Sequence, residues 1–132
     1  MALLGFKKEF AGLVEVGMKR QTIRAERAHP VKVGERLILA EGVRTKAYRQ
    51  LGETVCTETF PVAMIRTNGT FKWFINGGAV RLNDPVLVDI AQRDGFMDVT
   101  EMSNWFDRQH LARTGNDAFI GNVIRWENLL TI

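Results

Sequence analysis

Three cations and a hydroxyl crowd into six positions of the stretch Gly17-Met18-Lys19-Arg20-Gln21-Thr22-Ile23-Arg24. In its second half only Ile23 is strongly apolar, fewer apolar side chains than a purely structural strand calls for. Burial or neighbouring cations lower a lysine's pKa, because desolvation disfavours the charged form, and the neutral amine is then a base. A threonine hydroxyl attacks a carbonyl once a base takes its proton. An acid must then move the proton onward, and Asp94, just before Gly95, is the candidate. The stretch therefore reads as a binding or catalytic site for an anionic or nucleobase-bearing ligand. The plain alternative is that Lys19 and Arg20 are a solvated helix C-terminus complementing the helix dipole, with Thr22 a simple β-former and Asp94 a surface acid.

Other chemistries have little to work with. His29 and His110 have no His or Cys neighbour at ligand spacing, so no metal site and no cofactor are expected. Asn76-Gly77-Gly78 lacks the lysine and following helix of a phosphate loop. Ser103 is the only serine and falls inside a helical pattern, which leaves a Ser–His–Asp triad without support. Cys56, the only cysteine, lies among β-formers and reads as a buried, inert thiol. A second basic group is Arg44, Lys46 and Arg49 beside Tyr48. It suits phosphate contacts with a base stacked on the tyrosine, or else a solvated loop. Trp73, Trp105 and Trp126 sit among apolar neighbours and read as core.

The elements that must position these residues follow from local pattern. Leu3, Leu4 and Phe6 suggest a first strand. Phe10, Leu13, Val14 and Met18 mark one face of a helix over about 7–16, with Gly17 as its cap. Thr22-Ile23 is extended, His29-Pro30 is loop, and 36–40 is a buried strand broken by Gly42. Residues 54–65 read as one long strand in which Pro61 marks an edge or bulge. Asn68-Gly69 and Asn76-Gly77-Gly78 are turns around strands 71–75 and 79–82. Asp84-Pro85 opens a helix with Val86, Leu87, Ile90 and Ala91 on its apolar face, closed by Asp94-Gly95. Asp98-Val99-Thr100-Glu101 has capping-box form and opens a second helix to about 110, burying Met102, Trp105 and Phe106. Residues 115–121 are loop, and 122–126 close the chain's pattern as a strand.

At 132 residues and 45% apolar composition, this is one domain with a core of useful size, 1–132. Sequential strands with hairpin signals predict an α+β fold, a mostly antiparallel sheet or small barrel with helices packed outside. No apolar run approaches the roughly 18 residues of a membrane span, and the apolar-then-charged start reverses the order of an export signal. With a single cysteine, a cytoplasmic protein is expected. The net charge of +3 is uneven: residues 1–50 carry 11 Lys/Arg against 5 Asp/Glu, and the remainder 7 against 10. A basic half points to an anionic partner such as nucleic acid, or simply to an unevenly charged surface.

Gly17-x-Lys19-x-x-Thr22-Ile23-Arg24 resembles the G-x-K-x-x-T-I-R signature of ASCH-domain proteins in the PUA-like superfamily. Val33-Gly34-Glu35-Arg36-Leu37, Gly42-Val43-Arg44-Thr45-Lys46, Ala91-x-x-Asp94-Gly95-Phe96 and Phe119-x-Gly121-x-x-Ile124-Arg125-Trp126 continue the resemblance over nearly the whole chain. The first motif is fairly specific and the others are weaker singly. The resemblance implies a small PUA-like β-barrel flanked by about three helices, a cleft over the first motif, and RNA or a modified nucleoside as ligand. Some ASCH proteins remove the acetyl group from N4-acetylcytidine. Carried over by position, Thr22 would be the nucleophile, Lys19 its activator, Asp94 the proton shuttle, and Arg24 a hold on the site or the ligand's polar edge. The family acid is usually glutamate, so Asp94 departs from the pattern. Other ASCH proteins are described as ribonucleases, for which Lys46 is the matching residue. The aromatic residue often found before that segment's glycine is Ala40 here, which weakens the nuclease expectation.

Overall fold

The computed structural model describes residues 1–130. The fold is α+β, and the described residues form eight strands in two sheets. Strand β1 (Ala2–Phe6) leads into helix α1 (Lys8–Glu15), and β2 (Gln21–Ala25) carries the polar stretch. Next come β3 (Arg36–Glu41), β4 (Arg49–Val55), β5 (Glu58–Thr67), β6 (Thr70–Ile75) and β7 (Gly78–Val80). Helices α2 (Pro85–Arg93) and α3 (Val99–Phe106) precede β8 (Ala118–Arg125). Helix α3 runs on through a π-helical turn, Asp107–Leu111, and a last turn, Ala112–Thr114.

One sheet has the order β1-β3-β4 and the other β2-β8-β5-β6-β7, and neither is closed on itself. All pairings are antiparallel except β1 with β3. That parallel pair needs a crossover, supplied by the long excursion through α1 and β2. Strand β8 is the shared wall. Its Phe119 and Val123 enter a core with Ile23, Met64, Trp73, Leu87, Ile90, Met102 and Phe106. Ile124 and the following Trp126 enter a second core with Leu4, Val14, Leu37 and Leu39. The helices thus cover the five-stranded sheet, and α1 covers the small one.

Several local expectations hold. Asp84 accepts the Val86 N–H at 2.8 Å and Pro85 takes the first helical position. Asp98 accepts the Glu101 N–H at 2.8 Å. Asn68-Gly69 and Asn76-Gly77 have all four φ values between 51° and 81°, the geometry of tight hairpin turns. Cys56 is buried, and burial pushes its thiol pKa up, as suits an inert side chain.

Others are corrected. Residues 54–65 are two strands, not one. The chain switches sheets at Cys56-Thr57, where the Cys56 N–H bonds Glu35 and the Thr57 N–H bonds Arg125. Local β-propensity cannot register that change of partner. Pro61 does sit where its pairing with β6 runs out: its carbonyl accepts from Asn76, and its missing N–H falls beyond the β6 ladder. Strand β8 begins at Ala118, earlier than residue 122, because β5 pairs with it from Glu58 to Ile65. Met18 and Val86 are exposed despite their helical spacing.

Gly121 allows β2 and β8 to meet. A Cβ there would lie 2.3 Å from the Arg24 carbonyl oxygen, within the backbone of the paired strand. Gly121→Ala is expected to cost about 1–3 kcal/mol, because fixed backbone cannot yield as a side chain does. Chemical denaturation would read this as a lower midpoint at unchanged slope; an unchanged midpoint would show that the strands move apart freely.

Candidate active site

The turn after α1 aims the site. Gly17 takes φ +79°, and the N–H groups of both Met18 and Lys19 return to the Leu13 carbonyl at 2.9 and 3.0 Å. This left-handed cap reverses the chain and points Lys19 inward. The next two backbone links, Arg20 N–H to Arg93 and Trp126 N–H to Arg20, seat the segment between the end of α2 and the end of β8.

Lys19 is therefore not a solvated helix end. It is 2% exposed, and Asp94 is 4% exposed. The Lys19 ammonium donates to the Asp94 backbone carbonyl and lies 3.4 Å from Asp94 Oδ2. Asp94 caps the C-terminus of α2, the negative end of that helix, which favours a cation there. Lys19 also sits 4.8 Å from the centre of the Phe10 ring. Burial pulls its pKa below the ordinary lysine value of 10.5; Asp94 opposes this and Arg24 adds to it. Burial is the largest of these effects, because the ammonium gives up its hydration shell and its one carboxylate partner, at 3.4 Å, restores only part of that loss.

Gln21 is fully buried and holds the acid in place. Its Nε2 donates to the Ile90 carbonyl at 2.9 Å and to Asp94 Oδ1 at 3.1 Å. Its Oε1 accepts from Arg125 Nε at 2.9 Å. Arg125 in turn binds Glu58 at 2.7 Å and Asp89 at 3.4 Å and packs over Phe60. A chain of buried polar contacts, Arg125–Gln21–Asp94–Lys19, so fixes the acid and the amine as one unit.

Thr22 and Arg24 form the other half. Alternation along β2 puts them on one face, and Arg24 Nε donates to Thr22 Oγ1 at 2.9 Å. The Arg24 guanidinium also donates to the Gly5 carbonyl and packs 5.0 Å from the Phe6 ring. Burial pushes the Arg24 pKa down to about 10, so it is still a cation at neutral pH. Accepting from Arg24 leaves the Thr22 O–H free to donate. Among the described residues no hydrogen bond joins Thr22 to Lys19 or Asp94.

Lys19, Thr22, Arg24 and Asp94 all line one cavity of about 250 Å³. Phe6, Phe10, Trp105 and Phe106 supply its aromatic wall, and the turns after α3 supply a further wall of Gln109, His110 and Arg113. Phe10 and Trp105 meet edge to face at 5.5 Å, and His110 stacks on Phe106 at 5.3 Å. Among the described residues Asp94 is the only carboxylate in the lining. An apolar hollow with a few convergent polar groups is the usual form of a small-molecule site.

The second basic group lies elsewhere. Arg44 takes φ +64° in the turn between β3 and β4, and Arg44, Lys46 and Tyr48 are exposed. Arg49 opens β4 and is held by Glu41 at 2.8 Å and Glu15 at 2.7 Å. None of the four reaches the cavity. Sequence reasoning missed Gln21, Arg125 and the further wall. The signal for the wall was present: positions 105, 106, 109, 110 and 113 recur at helical spacing. Trp105, expected as core, is half-buried and walls the cavity.

The arrangement offers a desolvated amine held by an acid, a hydroxyl free to donate, and a fixed guanidinium around an aromatic hollow. No metal-binding group of three or more His, Cys, Asp or Glu occurs among the described residues, and no helix there is long and apolar enough to cross a membrane. Comparison with protein-family models, curated proteins and solved structures finds no match to this chain.

Proposed function

We propose that the cavity binds a modified nucleoside and hydrolyses an acyl amide on its base, with N4-acetylcytidine as the concrete substrate. The single observation that carries this is the meeting of Lys19, Asp94, Thr22 and Arg24 around one aromatic-walled hollow. The resemblance to ASCH-domain proteins supports the same reading. It adds the finer expectations of a PUA-like barrel and RNA-derived ligands, and the single cysteine adds that of a cytoplasmic protein.

In the proposed reaction the neutral Lys19 amine takes the Thr22 proton, and Oγ attacks the acetyl carbon. The oxyanion is met by the Arg24 guanidinium, which has donors beyond those bonded to Thr22 and Gly5. The C–N bond then breaks, and the leaving amine takes the proton now on Lys19. The neutral Lys19 amine then deprotonates water, whose hydroxide attacks the acetyl–Thr22 ester; the Oγ–acyl bond breaks, acetate leaves, and Lys19 returns the proton to the Thr22 oxygen. Asp94 bonds Lys19 and Gln21, so its part is to hold the amine and balance its charge in the protonated stage. It serves the transfer through Lys19 rather than by reaching Thr22.

The test is incubation with N4-acetylcytidine, followed by chromatography for cytidine and acetate. Turnover should rise with pH through the Lys19 titration and level off below 10.5, because the lowered pKa supplies neutral amine early. Stability should rise with pH over the same window, since the unfolded chain keeps a proton there that the folded chain has released. No turnover at high enzyme concentration would remove the amidohydrolase reading. Intact RNA binding in that case would favour a non-catalytic module using the exposed Arg44, Lys46 and Tyr48, which enter no ion pair or side-chain hydrogen bond among the described residues. RNA cleavage lost on Lys46→Ala would favour the nuclease.

A further inference from the structure

The cavity's cations exceed what its own acid balances. Lys7, Lys19, Arg24 and Arg113 line it, against Asp94 alone. Lys19 is matched to Asp94, and Arg24 is anchored to Thr22 and Gly5, with its remaining donors assigned above to the acetyl oxygen. Lys7 and Arg113 are exposed and enter no ion pair or side-chain hydrogen bond among the described residues. Both line the cavity: Lys7 comes from the junction of β1 and α1, and Arg113 from the last turn after α3. Both act on the same ring. After burial, Arg113 and then Lys7 are what hold the His110 pKa below its ordinary value. Lys7 also stands at the N-cap of α1, and no side chain caps the first N–H groups of that helix. Glu9, in that first turn, is turned to the Trp105 indole at 3.4 Å.

Two unpartnered cations and a histidine in the lining of one aromatic hollow suit a phosphate monoester attached to a base held in the same hollow. We propose that Lys7, His110 and Arg113 form a phosphate subsite of the cavity they line together, so that the cavity takes a nucleotide in preference to the nucleoside. This rests on the reading of the cavity as a nucleoside site. The phosphate could belong to a free nucleotide or to the end of an RNA strand, and both present the same dianionic ester. The carbonyl to be attacked would meet Thr22, and the phosphate Lys7 and Arg113.

Binding of cytidine, cytidine 5′-monophosphate, ribose 5-phosphate and a short oligonucleotide with a 5′-phosphorylated cytidine is measured by calorimetry, with the His110 ring resonances followed by NMR. The monophosphate should bind about tenfold tighter than cytidine, and the gap should shrink with added salt, because exposed charge pairs are screened. The His110 resonances should move with the two phosphates and less with cytidine. In Arg113→Glu the ratio of the two affinities should invert, and in Lys7→Ala/Arg113→Ala it should fall to about one; both positions are exposed, so the fold should tolerate the changes. Equal binding of cytidine and its monophosphate overturns the phosphate subsite and leaves the nucleoside site standing. Binding of ribose 5-phosphate and the monophosphate without cytidine supports the subsite and overturns the base pocket. Failure of all four overturns both. Oligonucleotide binding as tight as the monophosphate assigns the phosphate to an RNA end; much weaker binding assigns it to the free nucleotide.

Discussion

Lys19→Ala is expected to lower N4-acetylcytidine turnover by about a thousandfold, the scale of a lost general base. Lys19→Arg should fail similarly, since a guanidinium holds its proton across the working pH range. The difficulty is that Lys19 is structural as well. Removing it leaves the Asp94 carboxylate buried with only the Gln21 amide as partner, and breaking a buried pair from one side costs about 3–5 kcal/mol. Lost activity could then mean a lost fold. The double variant Lys19→Ala/Asp94→Ala separates the two, because removing both charges relieves the orphaned one. Its thermal or chemical stability should recover toward wild type, whereas turnover should stay at the single-variant level. A stable double variant that still deacetylates would remove Lys19 from the chemistry.

The second large effect is at Thr22. Thr22→Val keeps the branched shape that packs against Ile124 across the strand pair but has no hydroxyl. Turnover should fall about ten-thousandfold, the scale of a removed nucleophile. The stability cost should be only about 1 kcal/mol, for the Arg24 N–H left without its acceptor. Thr22→Ser restores the hydroxyl on the same strand face and should return most of the rate. Rate and fold are thus dissociated at Thr22 without a second mutation. A Thr22→Val protein with wild-type turnover would make the hydroxyl no more than an acceptor for Arg24.

What could be read from the chain beforehand divides by the range of the forces involved. Asp84-Pro85, Asp98 and the two Asn-Gly turns were legible because a cap or a tight turn is closed by atoms two to four residues away. The break at Cys56 was not, because the bonds that end β4 and begin β5 go to Glu35 and Arg125. Strand β8 was read short for the same reason, its first residues being extended by their pairing with β5. In the site, Lys19, Thr22 and Arg24 stood out as polar residues in a stretch suited to a strand. Their environment did not: a lysine just past a helix is ordinarily solvated, and only the docking of that turn on the end of α2 buries this one. Gln21 gave little sign, since an amide in a strand becomes informative only when Ile90, Asp94 and Arg125 arrive around it. The question of whether Asp94 reaches the motif has a divided answer. It reaches Lys19, and it meets Thr22 only across the shared cavity.

That division makes the pose of a bound substrate the decisive observation. A crystal structure of Thr22→Val with N4-acetylcytidine would hold the substrate uncleaved. The account predicts the base against the aromatic wall of Phe6, Phe10 and Trp105, with the acetyl carbon about 3–3.5 Å from where Oγ1 would stand and its oxygen toward Arg24. A nucleoside seated instead over Arg44, Lys46 and Tyr48, or in the cavity with its acetyl group turned away from position 22, would contradict it.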